Sequence, residues 1–156
     1  MNDYLKAIIS KLLVSILAIS LVAVPAAIAS DSERHQQVND MNIYLGVVPS
    51  QLAASNHPEM HGINESSRHV YHVLIALFDS ETGDRIKDAK VKATVSASAL
   101  AEEHKVLEVM QTNGAISFGN FFNMPVPGQY RIEVEIQHSK MHGTAITNFV
   151  YQRPRD

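Results

Sequence analysis

Residues Gln129 to His138 alternate without interruption: Tyr130, Ile132, Val134, Ile136 and His138 fall on one face, and Arg131, Glu133, Glu135 and Gln137 on the other. A period of two sustained over this length fits a strand with one face in a core and the other in water. Lys90 to Ala97 repeats the pattern, with Val91, Ala93, Val95 and Ala97 set against Lys90, Lys92, Thr94 and Ser96. Arg68 to Phe78 is apolar on both faces, as a central strand would be, and "DSETGDR" after it reads as a hairpin turn in which Gly83 takes positive φ. Asn42 to Val48, Val106 to Gln111, Ala115 to Phe122 and Thr144 to Tyr151 are weaker strands, and only Ser98 to His104 reads as a helical turn. A Pro127-Gly128 turn leads Tyr130 into its strand. The expectation is an all-β domain, an antiparallel immunoglobulin-like or cupredoxin-like sandwich of about seven strands over residues 41–152, followed by a tail at 153–156.

The chain opens with an export pattern. Lys6 and Lys11 precede an apolar run from Leu12 to Val24, and "PAAIAS" places Ala27 and Ala29 where a signal peptidase reads, so residues 1–29 are expected to be a signal peptide cleaved after Ala29. The apolar run is short for a helix crossing roughly 30 Å of hydrocarbon. The competing expectation is an uncleaved segment anchoring the protein to the inner membrane, lengthened by Leu5 to Ile9. Either way the domain is expected in the periplasm, behind a polar linker at residues 30–40.

After cleavage 11 basic and 15 acidic side chains remain, a net charge of −4 on 127 residues. That mild acidity argues against a nucleic-acid partner. With no cysteine, the exported domain has no disulfide and must stand on its hydrophobic core. A soft-metal site would have to be built from methionine thioether and imidazole.

Those residue types recur in one frame. "HPEMHG" at 57–62 and "HSKMHG" at 138–143 both spell His-x-x-Met-His-Gly, in a chain with eight His and six Met. Thioether and imidazole together suit copper, Cu(I) especially, since methionine holds zinc or magnesium poorly. The first candidate cluster is His57, Met60, His61, His69 or His72, and Met124. His69 and His72 point to opposite faces, and counting strands up and down puts Met124 at the same end of the sandwich. The same count places His138, Met141 and His142 at the other end, near Met110 and Met41, as a second and weaker site. Taken alone, Met110 and Met124 are core filler more often than ligands. No Gly-x-Ser-x-Gly elbow, His-Glu-x-x-His or phosphate loop is present, so an enzyme is not expected.

An exported seven-stranded sandwich with exposed His and Met and no Cys resembles the periplasmic copper-binding proteins of bacteria, including the YtkA-like and FixH-like domains. "YHVLIALFDSETGDRIKDAKVKATV" and "FGNFFNMPVPGQYRIEVEI" are similar to the periplasmic iron-transport family, over about Asn42 to Tyr151. The resemblance implies copper bound through His, Met and a carboxylate, with His57, Met60, His61 and His72 as candidate ligands. It also implies a role as copper carrier or chaperone, or metal-transport accessory, with a membrane transporter or metal-receiving protein as partner, or a homodimer. The alternative from another class is an immunoglobulin-like interaction module without metal.

Overall fold

A computed structural model describes residues 33–52, 68–98, 100–112, 114–140 and 143–156. The signal peptide and anchor expectations, the whole "HPEMHG" frame, and Met141 and His142 fall outside the described residues. Among the described residues no helix is long and apolar enough to cross a membrane.

The described residues form an all-β antiparallel sandwich of eight strands: β1 (His35–Val38), β2 (Met41–Pro49), β3 (Val70–Asp79), β4 (Lys90–Ser96), β5 (Glu103–Thr112), β6 (Ala115–Asn123), β7 (Gly128–Gln137) and β8 (Ala145–Arg153). They hydrogen-bond in the order β1-β2-β3-β6-β5-β4-β7-β8. The ribbon curls until β1 lies against β8, leaving the sandwich nearly closed.

All seven strands expected from the sequence are present. The eighth, β1, lies within the stretch read as a linker. Val38 faces Met41 across a two-residue turn in which Asn39 takes φ 51°. Asn tolerates that left-handed conformation, so "ND" between Val38 and Met41 is a hairpin signal hidden in a polar segment. The helical turn expected over Ser98 to His104 is one hydrogen-bonded turn, Leu100 N–H to Ala97 O at 3.0 Å, after which Glu103 already begins β5.

The turn after β3 also differs from expectation. Asp79 Oδ1 accepts the N–H groups of Glu81 and Thr82 at 2.9 Å, which holds its carboxyl below the usual carboxylate range, and Gly83 supplies φ 74°. The chain folds back for one bridge, Phe78 to Arg85, and then crosses to the other sheet, so β3 and β4 are not hairpin partners. Tyr130 fixes the entry to β7. Its hydroxyl donates to Val126 O at 2.9 Å and accepts from Val126 N–H at 3.2 Å, a ring of bonds around the Pro127-Gly128 turn.

β5 belongs to both sheets. Glu103 to Leu107 pair with β4, and Glu108 to Thr112 pair with β6. Where the β5–β6 ladder opens, side chains replace it: Asn120 Nδ2 donates to Val106 O at 2.8 Å, Lys105 Nζ to Phe121 O, and Asn123 N–H to Glu103 Oε2 at 2.9 Å. Those bonds satisfy backbone groups that the departing strand would otherwise leave unpaired. The core fills the space between the sheets, with Ile43, Val73, Ile75, Phe118 and Phe122 facing Val91, Val95, Ile132, Val134, Ile136 and Phe149. Each such side chain contributes about 1.5–3 kcal/mol on burial, which is what a domain without disulfides must rely on.

Candidate metal centre

The outer face of the first sheet, β1-β2-β3-β6 and the second half of β5, holds the site. His72 lies on the outer face of β3, since Tyr71, Val73 and Ile75 turn inward. It is nonetheless buried, 4% exposed. Its ring stacks on Phe121, its register partner on β6, at 4.6 Å between centroids. Its Nε2 lies 3.1 Å from Met110 Sδ on β5. The two strands carrying this pair are not neighbours, because β6 runs between them.

They meet because position 119 of β6 is glycine. A Cβ there would sit 2.6 Å from His72 Nε2, 2.8 Å from Met110 Sδ and 2.9 Å from a Leu74 methyl, all inside van der Waals contact. A glycine inside a strand forfeits packing and backbone entropy, and it often marks a place where another group approaches closely. Here the groups that approach are an imidazole nitrogen and a thioether sulfur.

The pair has donor chemistry. A thioether sulfur carries no hydrogen and can only accept, so in this contact Nε2 donates its proton to Sδ. An ion taken by both atoms displaces that proton. Metal–nitrogen and metal–sulfur bonds run to about 2.0 and 2.3 Å, together longer than the 3.1 Å separation, so one ion lying to the side of the line between the two atoms can touch both. Among the described residues no group of three or more His, Asp and Glu lies together.

The other candidates are placed differently. His69 Nδ1 accepts from Arg153 Nη2 at 2.6 Å, and the same nitrogen of Arg153 donates to Asp156 Oδ1 at 2.8 Å. A neutral imidazole accepting at Nδ1 carries its proton on Nε2, which leaves His69 no lone pair for a metal in this arrangement. Arg153 itself is fully buried, its Nη1 on Pro154 O and its Nε without a partner. Met124 is wholly enclosed in the core, with its N–H bonded to His69 O at 2.8 Å. Met41 is a core residue, 2% exposed.

His138 stands at the opposite end of the strands from His69, where its Nε2 donates to Asp88 Oδ1 at 2.9 Å. Ser139 Oγ donates to the other oxygen of Asp88 at 3.0 Å, and these two bonds hold the Asp88 carboxyl below its ordinary range. Met110, expected beside that hairpin, instead reaches the middle of the sheet and His72. The strand count gave the correct end for the Met110 backbone, but a side chain four bonds long reaches past its neighbours. Gly119 was legible only as an isolated glycine in a strand pattern, and no sequence signal joined it to His72 and Met110.

No protein-family model matches the sequence, and no curated protein matches it. Solved structures do. A copper-bound variant of FetP from uropathogenic Escherichia coli strain F11 superposes with a TM-score of 0.60 at 10% identity, covering 76% of this chain and 93% of that one. Copper-reconstituted P19 from Campylobacter jejuni gives 0.61 at 11% identity over 76% and 92% of the two chains. A DUF4426 family protein from Pseudomonas aeruginosa gives 0.58 at 13% over 80% and 99%. At these identities the likeness is one of fold.

Proposed function

We propose that the protein is an exported, periplasmic copper-binding protein that carries or sequesters the ion, with His72 and Met110 as its ligands on this face. The observation that carries the reading is the contact of Nε2 and Sδ over Gly119. Imidazole and thioether are the donors that select copper in a chain without thiolate. The surround is apolar, with Phe121 stacked on the ring and Leu74 beside the gap, which suits Cu(I) and limits water at the site. Two relatives in fold, FetP and P19, are copper-bound in their crystals. The remaining members of the two His-x-x-Met-His-Gly frames, His57, Met60, His61, His138, Met141 and His142, are proposed as capture groups that hand the ion on. His69 and Met124 are left out of the ligand set, because one is committed to Arg153 and the other is sealed in the core. A metal-receiving protein or membrane transporter is the partner this role requires.

The test is a titration of purified protein with Cu(I) against a competing chelator, repeated for His72→Ala and Met110→Leu. The reading expects stoichiometric binding that both substitutions weaken by at least tenfold, with a zinc affinity that is low and indifferent to Met110→Leu. Equal Cu(I) binding in all three proteins would reject it.

An interaction module without metal is the second reading, and one observation favours it. Tyr44, 43% exposed, stacks on His35 at 4.6 Å and meets the Phe78 edge at 5.6 Å, an aromatic row on the same outer face. Under that reading Tyr44→Ser abolishes association with a partner and leaves copper without effect on it.

A further inference from the structure

We infer that Met110 is a reversible oxidation site: a hydroperoxide converts its thioether to one epimer of the sulfoxide, and the conversion discharges the copper ion. The discharge rests on the copper reading above; the modification stands without it. A thioether reacts only where the oxidant can reach it, and three methionines lie among the described residues. Met41 and Met124 are 2% and 0% exposed, whereas Met110 is half-buried on the outer face. The strand around it is open as well. The ladder from β5 to β4 ends at Leu107, and Glu108, Val109, Gln111 and Thr112 are all exposed. Gly119 removes the side chain that would otherwise cover the sulfur, since a Cβ there would lie 2.8 Å from Sδ.

The surroundings also fix the stereochemistry. A thioether sulfur has two lone pairs, and oxygen enters along one or the other to give one of two epimers. In Met110 one of them accepts the His72 Nε2–H at 3.1 Å. The His72 ring is held over that side of the sulfur by its stack on Phe121. The second lone pair is the one left to attack. A methionine that turns in water gives both epimers alike, whereas this one is expected to give a single epimer.

A lone pair of Sδ attacks the terminal oxygen of the hydroperoxide, the O–O bond breaks, and an alkoxide or hydroxide leaves. The leaving group takes the proton that the transferred oxygen carried, so the products are the sulfoxide and an alcohol or water. Sulfur has lost two electrons and the peroxide has gained them. The thioether, a weak acceptor and soft donor, becomes a polar S–O group whose hard oxygen does not suit Cu(I). A turn about the Cγ–Sδ bond brings that oxygen to the His72 Nε2–H in a stronger hydrogen bond than sulfur makes, which keeps the proton on the nitrogen the ion needs. One oxygen atom thus disables both donors of the pair, and reduction of the sulfoxide restores them.

The experiment treats purified, metal-free protein with hydrogen peroxide and then removes the oxidant by desalting. Peptide mass spectrometry reads the oxygen gained at each methionine, and sulfoxide reductases specific for each epimer read the stereochemistry. A competition titration reads Cu(I) affinity. We expect Met110 to oxidise at least about tenfold faster than Met41 and Met124, and one reductase alone to restore it. Cu(I) affinity is expected to fall by about 10- to 100-fold and to return on reduction, with no further fall in peroxide-treated Met110→Leu. His72→Ala is expected to leave Met110 reactive but to give both epimers, while Met41 and Met124 stay protected because the fold is intact. Met110 oxidised no faster than those two, or oxidised to an equal mixture of epimers in wild type, would overturn the inference and leave the copper reading standing. Oxidised protein that binds Cu(I) as tightly as before would overturn the discharge. Reduced wild-type protein that takes up no Cu(I) overturns the copper reading and the discharge together but leaves the epimer result untouched, so the failures are distinct.

Discussion

The two outer faces of the sandwich are built from the same kind of strand and are chemically opposite. On β4 and β7 the outward residues are Lys90, Lys92, Thr94 and Ser96 against Gln137, Glu135, Glu133 and Arg131, paired in register so that Lys92 meets Glu135. On β3 and β6 they are His72, Leu74 and Ala76 beside Ser117, Gly119 and Phe121. The first face is ordinary solvated surface, where each charge pair contributes little. The second carries a buried histidine, a sulfur and a glycine gap where solubility alone would favour charges. The contrast teaches where to look: inward residues of both sheets answer to packing, so function shows on the outer face that departs from the wet pattern.

The largest effect expected from breaking this contrast is at Gly119. Gly119→Ala places a methyl between His72 and Met110, but the atoms it meets are the ends of side chains that can move aside. The fold is therefore expected to survive, with a thermal midpoint within a few degrees of wild type, while copper affinity falls by about 10- to 100-fold. Calorimetry and competition titration on the same sample check both halves. A fall in affinity with loss of fold would not separate the site from its scaffold, so Met110→Leu is the companion. That near-isosteric change costs less than about 1.5 kcal/mol of stability, measured by denaturant unfolding, and removes the sulfur.

Arg153 gives the opposite profile. Arg153→Ala strips a fully buried guanidinium from His69, Asp156 and Pro154 O and is expected to cost about 1–3 kcal/mol in urea unfolding. Because His69 is not a ligand in this account, copper affinity should hold. A large loss of copper binding in folded Arg153→Ala protein would return His69 to the ligand set.

Acid acts on the Asp88 turn and on the copper site with the same sign. The Asp88 carboxyl is lowered by its bonds from Ser139 and His138, so the stability it contributes is present above the ordinary carboxylate range and is lost as pH falls through its lowered value. Asp88→Asn should remove that part of the acid dependence, read from unfolding midpoints below pH 4, roughly the unperturbed carboxylate value. Copper release follows imidazole protonation and should come at higher pH, with Cu(I) retained longest because thioether does not titrate. The smallest effect is on the wet face, where Lys92→Glu opposite Glu135 should change stability by less than about 1 kcal/mol and copper affinity not at all.

Much of the fold was legible because its strands follow period two. Tyr130 to Ile136 and Val91 to Val95 alternate cleanly, and burial follows that alternation. β1 escaped because three polar residues and one valine carry no period, and only the Asn39 turn betrays it. The site was less legible, for a physical reason. His72 was visible as a histidine on an apolar strand, but its contact with Met110 depends on β6 running between two strands that are far apart in sequence, and on one residue there lacking a side chain. The repeated His-x-x-Met-His-Gly frame advertised ligand chemistry in the chain without locating the pair that the sheet brings together.

The most direct measurement is X-ray absorption at the copper edge on Cu(I)-loaded protein, wild type beside Met110→Leu. The account predicts a mixed nitrogen and sulfur shell in wild type, from which the sulfur contribution from Met110 is lost in the variant. A shell of nitrogen and oxygen alone, identical in both proteins, would contradict it.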